Sequence, residues 1–443
     1  MELNYHRAIA VALIAAWFAY IFGADIFRLL KVVGILQRPD YLSAFESSEV
    51  ITIADTTHCE DLHFHKPSNL LFTACEDTEE TRYAWFPPVA IFDDPVLAET
   101  ARGSFHVIDP ETFQSTKLTF DNFQGPFITH GIDVISDPDR PDGEAVYIFA
   151  VNHPPHPEYL ASEAHESSDN PPKKTIRIKA RSQLELFHHV IGTSSVKHIR
   201  SIHHPLITTP NDILALNLTS VLVTNDHYYR EGPLRFIEDV TYGAKWSSVV
   251  HLRLTDTGPS STDASNGVHG TVALDKLHNN NGLGRGRTPG EVLVATAASG
   301  TLNLCKLVEK AGNIVLLVTD SILVDTVADN PTYFSDPYAT NGDDKGGFVL
   351  TGVLNGVDIS EHSRDPSAKD GIMVWFVPKG GKRAHKNWDA KAIFADDGTR
   401  IRTSTTALLL AIDPASEGGK RKAWLWVTGF LSKNIIAIKV ELE

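Results

Sequence analysis

The 443-residue chain is poor in cysteine, in methionine and in positive charge. Its three cysteines, Cys59, Cys75 and Cys305, form no CxxC pair and no dense disulfide framework. Cys59 and Cys75 can face each other across a hairpin turning near "KPSN", a candidate bridge whose connectivity spacing alone does not settle. Cys305 is then left as a buried, inert thiol. Lys and Arg number 40 against 55 Asp and Glu, a net charge of −15. That deficit argues against a nucleic-acid partner, whose phosphates call for a basic face. It suits binding of a hard cation, since the ligands of Ca²⁺ are oxygens and many of them are anionic. An acidic, well-solvated surface would account for the charge equally well.

Long hydrophobic runs are missing too, with one exception. Ala8 to Ala24, "AIAVALIAAWFAYIFGA", carries no charged residue and follows Arg7. As a helix it would reach about 25 Å, slightly short of a bilayer core. No small-x-small cleavage site follows, so the segment reads as an uncleaved signal anchor rather than a removed signal peptide. The flanking charges leave its orientation open. A buried or surface-lying helix is the alternative. The expected organisation is a membrane helix and linker over 1–45, then one folded domain over 46–443. The expected location is membrane-anchored in the secretory pathway, in the ER lumen or at the cell surface, or secreted if the segment is cut. A sequon at Asn217, Asn-Leu-Thr, fits a secretory chain.

Helix-length amphipathic patterns are absent after the first 45 or so residues, and short β-branched and aromatic runs take their place. "NLLFTAC", "AVYIFAVNH", "SVLVTNDHYY", "SSVVHLRL", "GFVLTGVL" and "GIMVWFV" are closed by turn residues at hairpin spacing. "EVLVATAASGTLNLCKLVEK" and "KAWLWVTGFLSKNIIAIKVELE" read as versions of one another. Such self-similarity predicts a β-propeller of four-stranded blades around a central tunnel, with a pair of β-sandwiches as the runner-up. Pro154 to Lys174 and Asn279 to Arg287 read as polar inserted loops.

In a propeller, polar residues at corresponding strand ends converge on the axis. The candidates are Glu60 and Asp61 in "CEDL", Asn211 and Asp212 in "PNDIL", Asn225 to His227 in "TNDHYY", Asn266 in "SNGVHG", and Asp329 and Asn330 in "VADNP". Each alone is ordinary turn chemistry; their recurrence points further. Carboxylate and amide oxygens suit Ca²⁺ better than Zn²⁺. Adjacent residues of a strand point to opposite sides. Glu60, Asn211, Asn266, Asp329 and Asn330 are therefore assigned to one ion, and Asp61 and Asp212 to another. In "THCEDLHFH" the ligands are then Glu60 and Asp61, with His58, Cys59, His63 and His65 as bystanders. A zinc site of Cys59, His63 and His65 is the competing assignment.

The motifs "EDL", "THGI", "VYIFAVNHP", "NDILAL", "TNDHYY", "NGV" and "VADN", in this order, resemble the serum paraoxonase/arylesterase family from about Glu60 onward. The resemblance implies an all-β six-bladed β-propeller with two Ca²⁺ ions in its tunnel, one catalytic and one structural, and an N-terminal hydrophobic helix before it. It adds the Ile132 carbonyl to Asp61 and Asp212 at the structural ion. It makes His130 in "THGI" and His153 in "VNHP" the candidate catalytic histidines, and it implies hydrolysis of lactones and aryl esters and, in some members, organophosphate triesters. Asp226 and His227 would support the histidines or the metal ligands. The chain departs from the family in three places. Its last strand, "NIIAIKVELE", lacks the cysteine that closes the ring in animal members, so closure must come from strand pairing. "LTGVLNG" lacks the family's fifth-blade histidine, and an insertion follows His153 directly. The expected function is calcium-dependent ester or lactone hydrolysis, its partners a small ester or lactone and a membrane. A non-catalytic, membrane-tethered propeller with only a structural calcium is the alternative.

Overall fold

The structure is a computed structural model and describes residues 23–36, 41–45, 48–166, 178–258, 263–381 and 388–442. Six antiparallel sheets follow one another along the chain. Blade one comprises Cys59–His65, Leu70–Glu76, Gly103–Asp109 and Gln114–Lys117. Blade two comprises Thr129–Ser136, Ala145–Asn152, Gln183–Val190 and Ser195–Ile202, with Thr119–Phe120 added in parallel at its rim. Blade three runs from Pro210–Asn217 through Ser220–Asn225 and Ser247–Leu254 to Val268–Leu277. Blade four runs from Asn280–Arg285 through Glu291–Thr296 and Thr301–Lys310 to Asn313–Leu323. In blade five Val327–Ala328 and Thr332–Phe334 share one edge of Gly347–Val353, followed by Ile372–Pro378 and Lys391–Asp396. Blade six is Ser404–Ala411, Lys422–Gly429 and Ile435–Glu441, completed by Val50–Ile53.

The first strand of each blade packs on the first strand of the next, and Ser404–Ala411 returns to Cys59–His65, so six inner strands ring one axis. Closure is by pairing alone: Val50 lies opposite Ile438 and Ile53 opposite Ile435 in an antiparallel ladder. The all-β propeller expected from the sequence is therefore the fold observed. The two segments read as versions of each other occupy the same place, the second and third strands of blades four and six.

The alternating strand pattern buries one row of side chains in each seam between blades. Leu293, Leu304 and Ile322 of blade four meet Phe348, Leu350 and Trp375 of blade five, and five similar clusters fill the other seams. Burial of such side chains, at about 1.5–3 kcal/mol each, is the main force holding blade to blade.

Two segments differ from the sequence reading. Asn279 to Arg287 is no inserted loop, because Asn280–Arg285 is the innermost strand of blade four. Helices also interrupt the strands, at Pro157–Glu166 and Pro233–Val240. Before the propeller, residues 23–32 are helical, and Arg28 fixes them to blade four through the Ser299 and Gly300 carbonyls and Asp325 at 3.1, 2.8 and 2.7 Å. The membrane helix read over Ala8 to Ala24 lies almost wholly outside the described residues. Among those, no helix is long and apolar enough to cross a membrane.

Candidate active site

Inner strands expose alternate side chains to the axis, and their starts carry the residues singled out above. Glu60 and Asp61 come from blade one, His130 and Ile132 from blade two, and Asn211 and Asp212 from blade three. Asp329 and Asn330 come from the link between the two short strands of blade five. All of these are buried except Asp329, which is half-buried.

Glu60 is held by its backbone: its carbonyl accepts from the hydroxyls of Thr428 at 2.7 Å, Thr406 at 3.3 Å and Thr405. Its carboxylate Oε1 accepts from Asn330 Nδ2 at 3.2 Å and lies 3.9 Å from His130 Nε2. Asn330 Nδ2 also donates to Thr406 Oγ1 at 3.0 Å. Asn211 Nδ2 lies 3.5 Å from His130 Nε2. With the amide nitrogens so engaged, one oxygen of each group is left over. Glu60 Oε2, Asn211 Oδ1, Asp329 Oδ1 and Asn330 Oδ1 are all buried without a hydrogen-bond partner. Stranded oxygens of this kind are rare in proteins, and each one costs free energy. Burial raises both Glu60 and Asp329 well above their ordinary values, and neighbouring carboxylates (Asp329, Asp61 and Asp212 for Glu60; Asp61 for Asp329) raise them further. The group is an oxygen cage in which carboxylate charge outweighs the one nearby cation, Arg82, and its donors are of the kind a calcium site uses.

The structure corrects one ligand. Asn266 is exposed in the turn between the two outer strands of blade three, where its carbonyl accepts from Arg200 at 2.8 Å, and it does not reach the axis. Asn281, on the inner strand of blade four, also has a buried, unpartnered Oδ1. The next residue, Gly282, packs so closely that a Cβ there would stand 2.4 Å from Asn330 Oδ1. Gly282 thus brings the start of this strand against Asn330, and Asn281, whose Oδ1 is stranded like those of Asn279 and Asn280, is the candidate donor from blade four. Gly131 is needed for the same kind of approach, since a Cβ on it would stand 2.5 Å from the Asn211 carbonyl.

The set assigned to a second ion is different. Asp61 Oδ1 accepts from Leu62 N at 2.7 Å and Thr406 Oγ1 at 2.9 Å, and its Oδ2 meets Ile132 N at 3.0 Å and His63 Nε2 at 2.9 Å. Asp212 accepts from Ile213 N at 2.7 Å and Leu283 N at 2.6 Å. His63 also approaches Asp133 at 3.4 Å, and Arg285 clamps Asp133 with two bonds of 2.8 Å. No oxygen of Asp61 or Asp212 is stranded, although burial and the neighbouring Asp61 raise Asp212 well above its ordinary value. The zinc assignment fails outright. Cys59 is disulfide-bonded to Cys75, and His65 is engaged by Ser68 and Ser136 at 2.8 and 2.9 Å. Among the described residues, no group of three or more His, Cys, Asp or Glu side chains gathers as a metal site.

The two histidines lie against the cage, with His153 Nε2 at 3.3 Å from His130 Nδ1 and His153 Nδ1 at 2.8 Å from Ser182 Oγ. The Trp85 indole donates to the His153 carbonyl at 2.9 Å, and Phe86 packs edge-on to both rings. Burial, helped by the positive Arg82, brings His130 down to about 4, and burial with His130 itself depresses His153. Both rings are therefore neutral at pH 7. Burial would raise Asp226, but the adjacent His227 ring and Arg235 bring it down to about 2. His227 in turn meets Asp239 at 2.6 Å. Sequence reading missed Arg82, Ser182 and Asn281. Arg82 is fully buried, donates twice to the Thr129 carbonyl at 3.2 Å and lies 4.1 Å over Phe86. Asn217, the sequon residue, is exposed at a hairpin end.

Residues 115–269, which include both histidines and the Asn211 and Asp226 pairs, match the family described as arylesterase. Serum paraoxonase/arylesterase 2 of Gallus gallus is 33% identical over 127 residues, 29% of this chain and 28% of that protein. Serum paraoxonase/lactonase 3 of Oryctolagus cuniculus is 25% identical over 288 residues, 63% of each chain. Serum paraoxonase/arylesterase 1 of Homo sapiens is 28% identical over 145 residues, 32% of this chain and 33% of that one. Each match spans less than two thirds of the relative's length. Among solved structures, a luciferin-regenerating enzyme aligns over 89% of this chain and 97% of its own, at 9% identity and a TM-score of 0.44, too distant to bear on chemistry.

Proposed function

We propose that this chain, a relative of the serum paraoxonases and arylesterases, is a calcium-dependent hydrolase of esters or lactones. One observation carries the reading: stranded oxygens of Glu60, Asn211, Asn281, Asp329 and Asn330 lie beside a buried pair of neutral histidines. Those five residues would hold the ion. Calcium bound there would supply a hard Lewis acid for the substrate carbonyl and for the negative charge its oxygen develops.

The protein's own part is the proton. Asn211 Nδ2 faces His130 Nε2 and leaves that nitrogen as an acceptor. His130 Nδ1–H then donates to His153 Nε2, and His153 Nδ1–H donates to Ser182 Oγ. This relay fixes the tautomer and turns the basic nitrogen of His130 toward the cage. There it takes a proton from the attacking water, a role worth about 10²–10⁴-fold in rate. His153 and Ser182 position the ring and spread the charge it gains. Phe86 and Trp85 exclude bulk water from the pair.

The test uses the purified chain with phenyl acetate and a panel of lactones, with calcium and with a calcium chelator. Turnover that calcium restores is the expected result. His130→Gln should lower kcat roughly 10²-fold or more while calcium still binds. No turnover on any substrate would end the hydrolase reading, and full activity in the variant would remove His130 from it.

A further inference from the structure

Against His153, a pocket is lined by Phe92, His153, Ser182, Pro210, Asp226 and Arg230. Arg230 is unusual there. Its Nη1 is buried and has no hydrogen-bond partner, and burial alone lowers its pKa, with no carboxylate raising it. The acidic groups that could have met it are engaged elsewhere. Glu231 pairs with Lys179 at 2.6 Å, Asp226 faces His227 at 3.1 Å, and Asp239 meets His227 at 2.6 Å and Arg235 at 3.8 Å. A second basic side chain lies nearby: His203 Nδ1 is buried without a partner, while its ring meets the Ser182 backbone. Burial and then the positive fields of Arg181 and, more weakly, Arg230 hold its ring below the ordinary range, which places the three together. In a chain of net charge −15, an arginine with a buried, unpartnered Nη1 on a pocket that His153 lines needs a reason.

A guanidinium N–H withdrawn from water without an acceptor is held at a cost, and a carboxylate returns that cost through charge-assisted, fork-shaped hydrogen bonds. We propose that the substrate is an ester or lactone carrying a negatively charged group, a carboxylate remote from the scissile bond, which Arg230 holds while the reacting carbonyl faces His130. The inference rests on the hydrolase reading and names its substrate class. Arg230 acts on specificity and leaves the proton transfer to the histidines. An anion fixed at Arg230 also turns the remaining substrate toward the cage, so recognition and orientation come from one contact.

The experiment compares matched esters with the full chain and saturating calcium: phenyl acetate against the monophenyl ester of a short dicarboxylic acid, and a plain γ-lactone against the same ring bearing a carboxylate. The readout is the ratio of kcat/KM, charged over neutral. The wild-type ratio should exceed ten. It should fall at least tenfold in Arg230→Met, mostly through KM, and recover in part in Arg230→Lys, which restores the charge without the fork. A wild-type ratio near or below one, or a ratio that Arg230→Met leaves unchanged, overturns the inference while the hydrolase reading stands. Turnover of none of the four compounds overturns both.

Discussion

Replacing Glu60 by Gln separates a metal cage from an ordinary buried polar cluster. The buried Glu60 side chain has one stranded oxygen, and three other carboxylates raise it. Without calcium its negative charge is a liability, so an uncharged side chain of the same shape should cost the calcium-free protein little or nothing. With calcium the reverse holds. At calcium 1,000 times its dissociation constant, binding stabilises the native state by about 4.1 kcal/mol. Unfolding roughly 400 residues at about 2.1 cal/mol/K each makes 1 kcal/mol worth about 1.2 °C, so calcium should raise Tm by about 5 °C. A charge-assisted contact contributes about 1.5–3 kcal/mol, so losing the Glu60 charge should weaken binding roughly 10–100-fold. At the same calcium concentration the gain then falls to about 1.5–3 kcal/mol, or about 2–3 °C. The assay is thermal unfolding of wild type and Glu60→Gln, each with calcium and with chelator. A variant that keeps the whole calcium-dependent rise, or that loses as much stability in chelator as in calcium, would refute the cage.

Three further outcomes follow from the same geometry. Cys59→Ala with Cys75→Ala opens a cross-link spanning a sequence separation of 16 and should cost about 3 kcal/mol in denaturant unfolding, with a loss under about 1 kcal/mol contradicting a structural role. Gly131→Ala places a Cβ 2.5 Å from the Asn211 carbonyl, so it should cost about 1–3 kcal/mol and weaken calcium binding, measured by melting and by titration. Burial raises the Glu76 carboxyl from 4.5 to about 7 against the pull of Arg82 and the Thr81 hydroxyl, so between those values the folded state keeps a proton that the unfolded chain has lost. Stability is therefore full below pH 4.5 and falls as pH climbs through 7, by roughly 3 kcal/mol. Unfolding free energies at pH 5 and 8.5 should show that fall in wild type and a smaller one in Glu76→Gln; equal falls would contradict it.

How the sequence discloses this architecture depends on which interactions are local. Strand alternation is local, so "EVLVATAAS" and "AWLWVTGF" read as strands from their own residues. The half-cage on Glu60, Asn211, Asp329 and Asn330 was legible because each polar pair abuts an apolar strand that fixes its place. Arg82, Ser182 and Arg230 carry no such mark, since they become part of the site only through contacts with distant blades.

Asn266 and Asn281 show where local reading ends. Both precede glycine, and an Asn-Gly pair is the strongest short turn signal there is. At Asn266 that signal is true: Gly267 has φ +69° and turns the chain between the outer strands of blade three. At Asn281 it misleads, because Gly282 is there for the absence of a side chain, letting Asn330 approach. Three successive asparagines in "NNNGLGRG" therefore resembled a loop, while their true position was on the axis. Counting would have separated the two. "EVLVATAAS" and "TLNLCKLVEK" are the second and third strands of their blade, so an inner strand must come just before them, and only residues 280–285 are there to form it. The blade repeat demands an inner strand at that place, and that demand outweighs the turn propensity of any dipeptide.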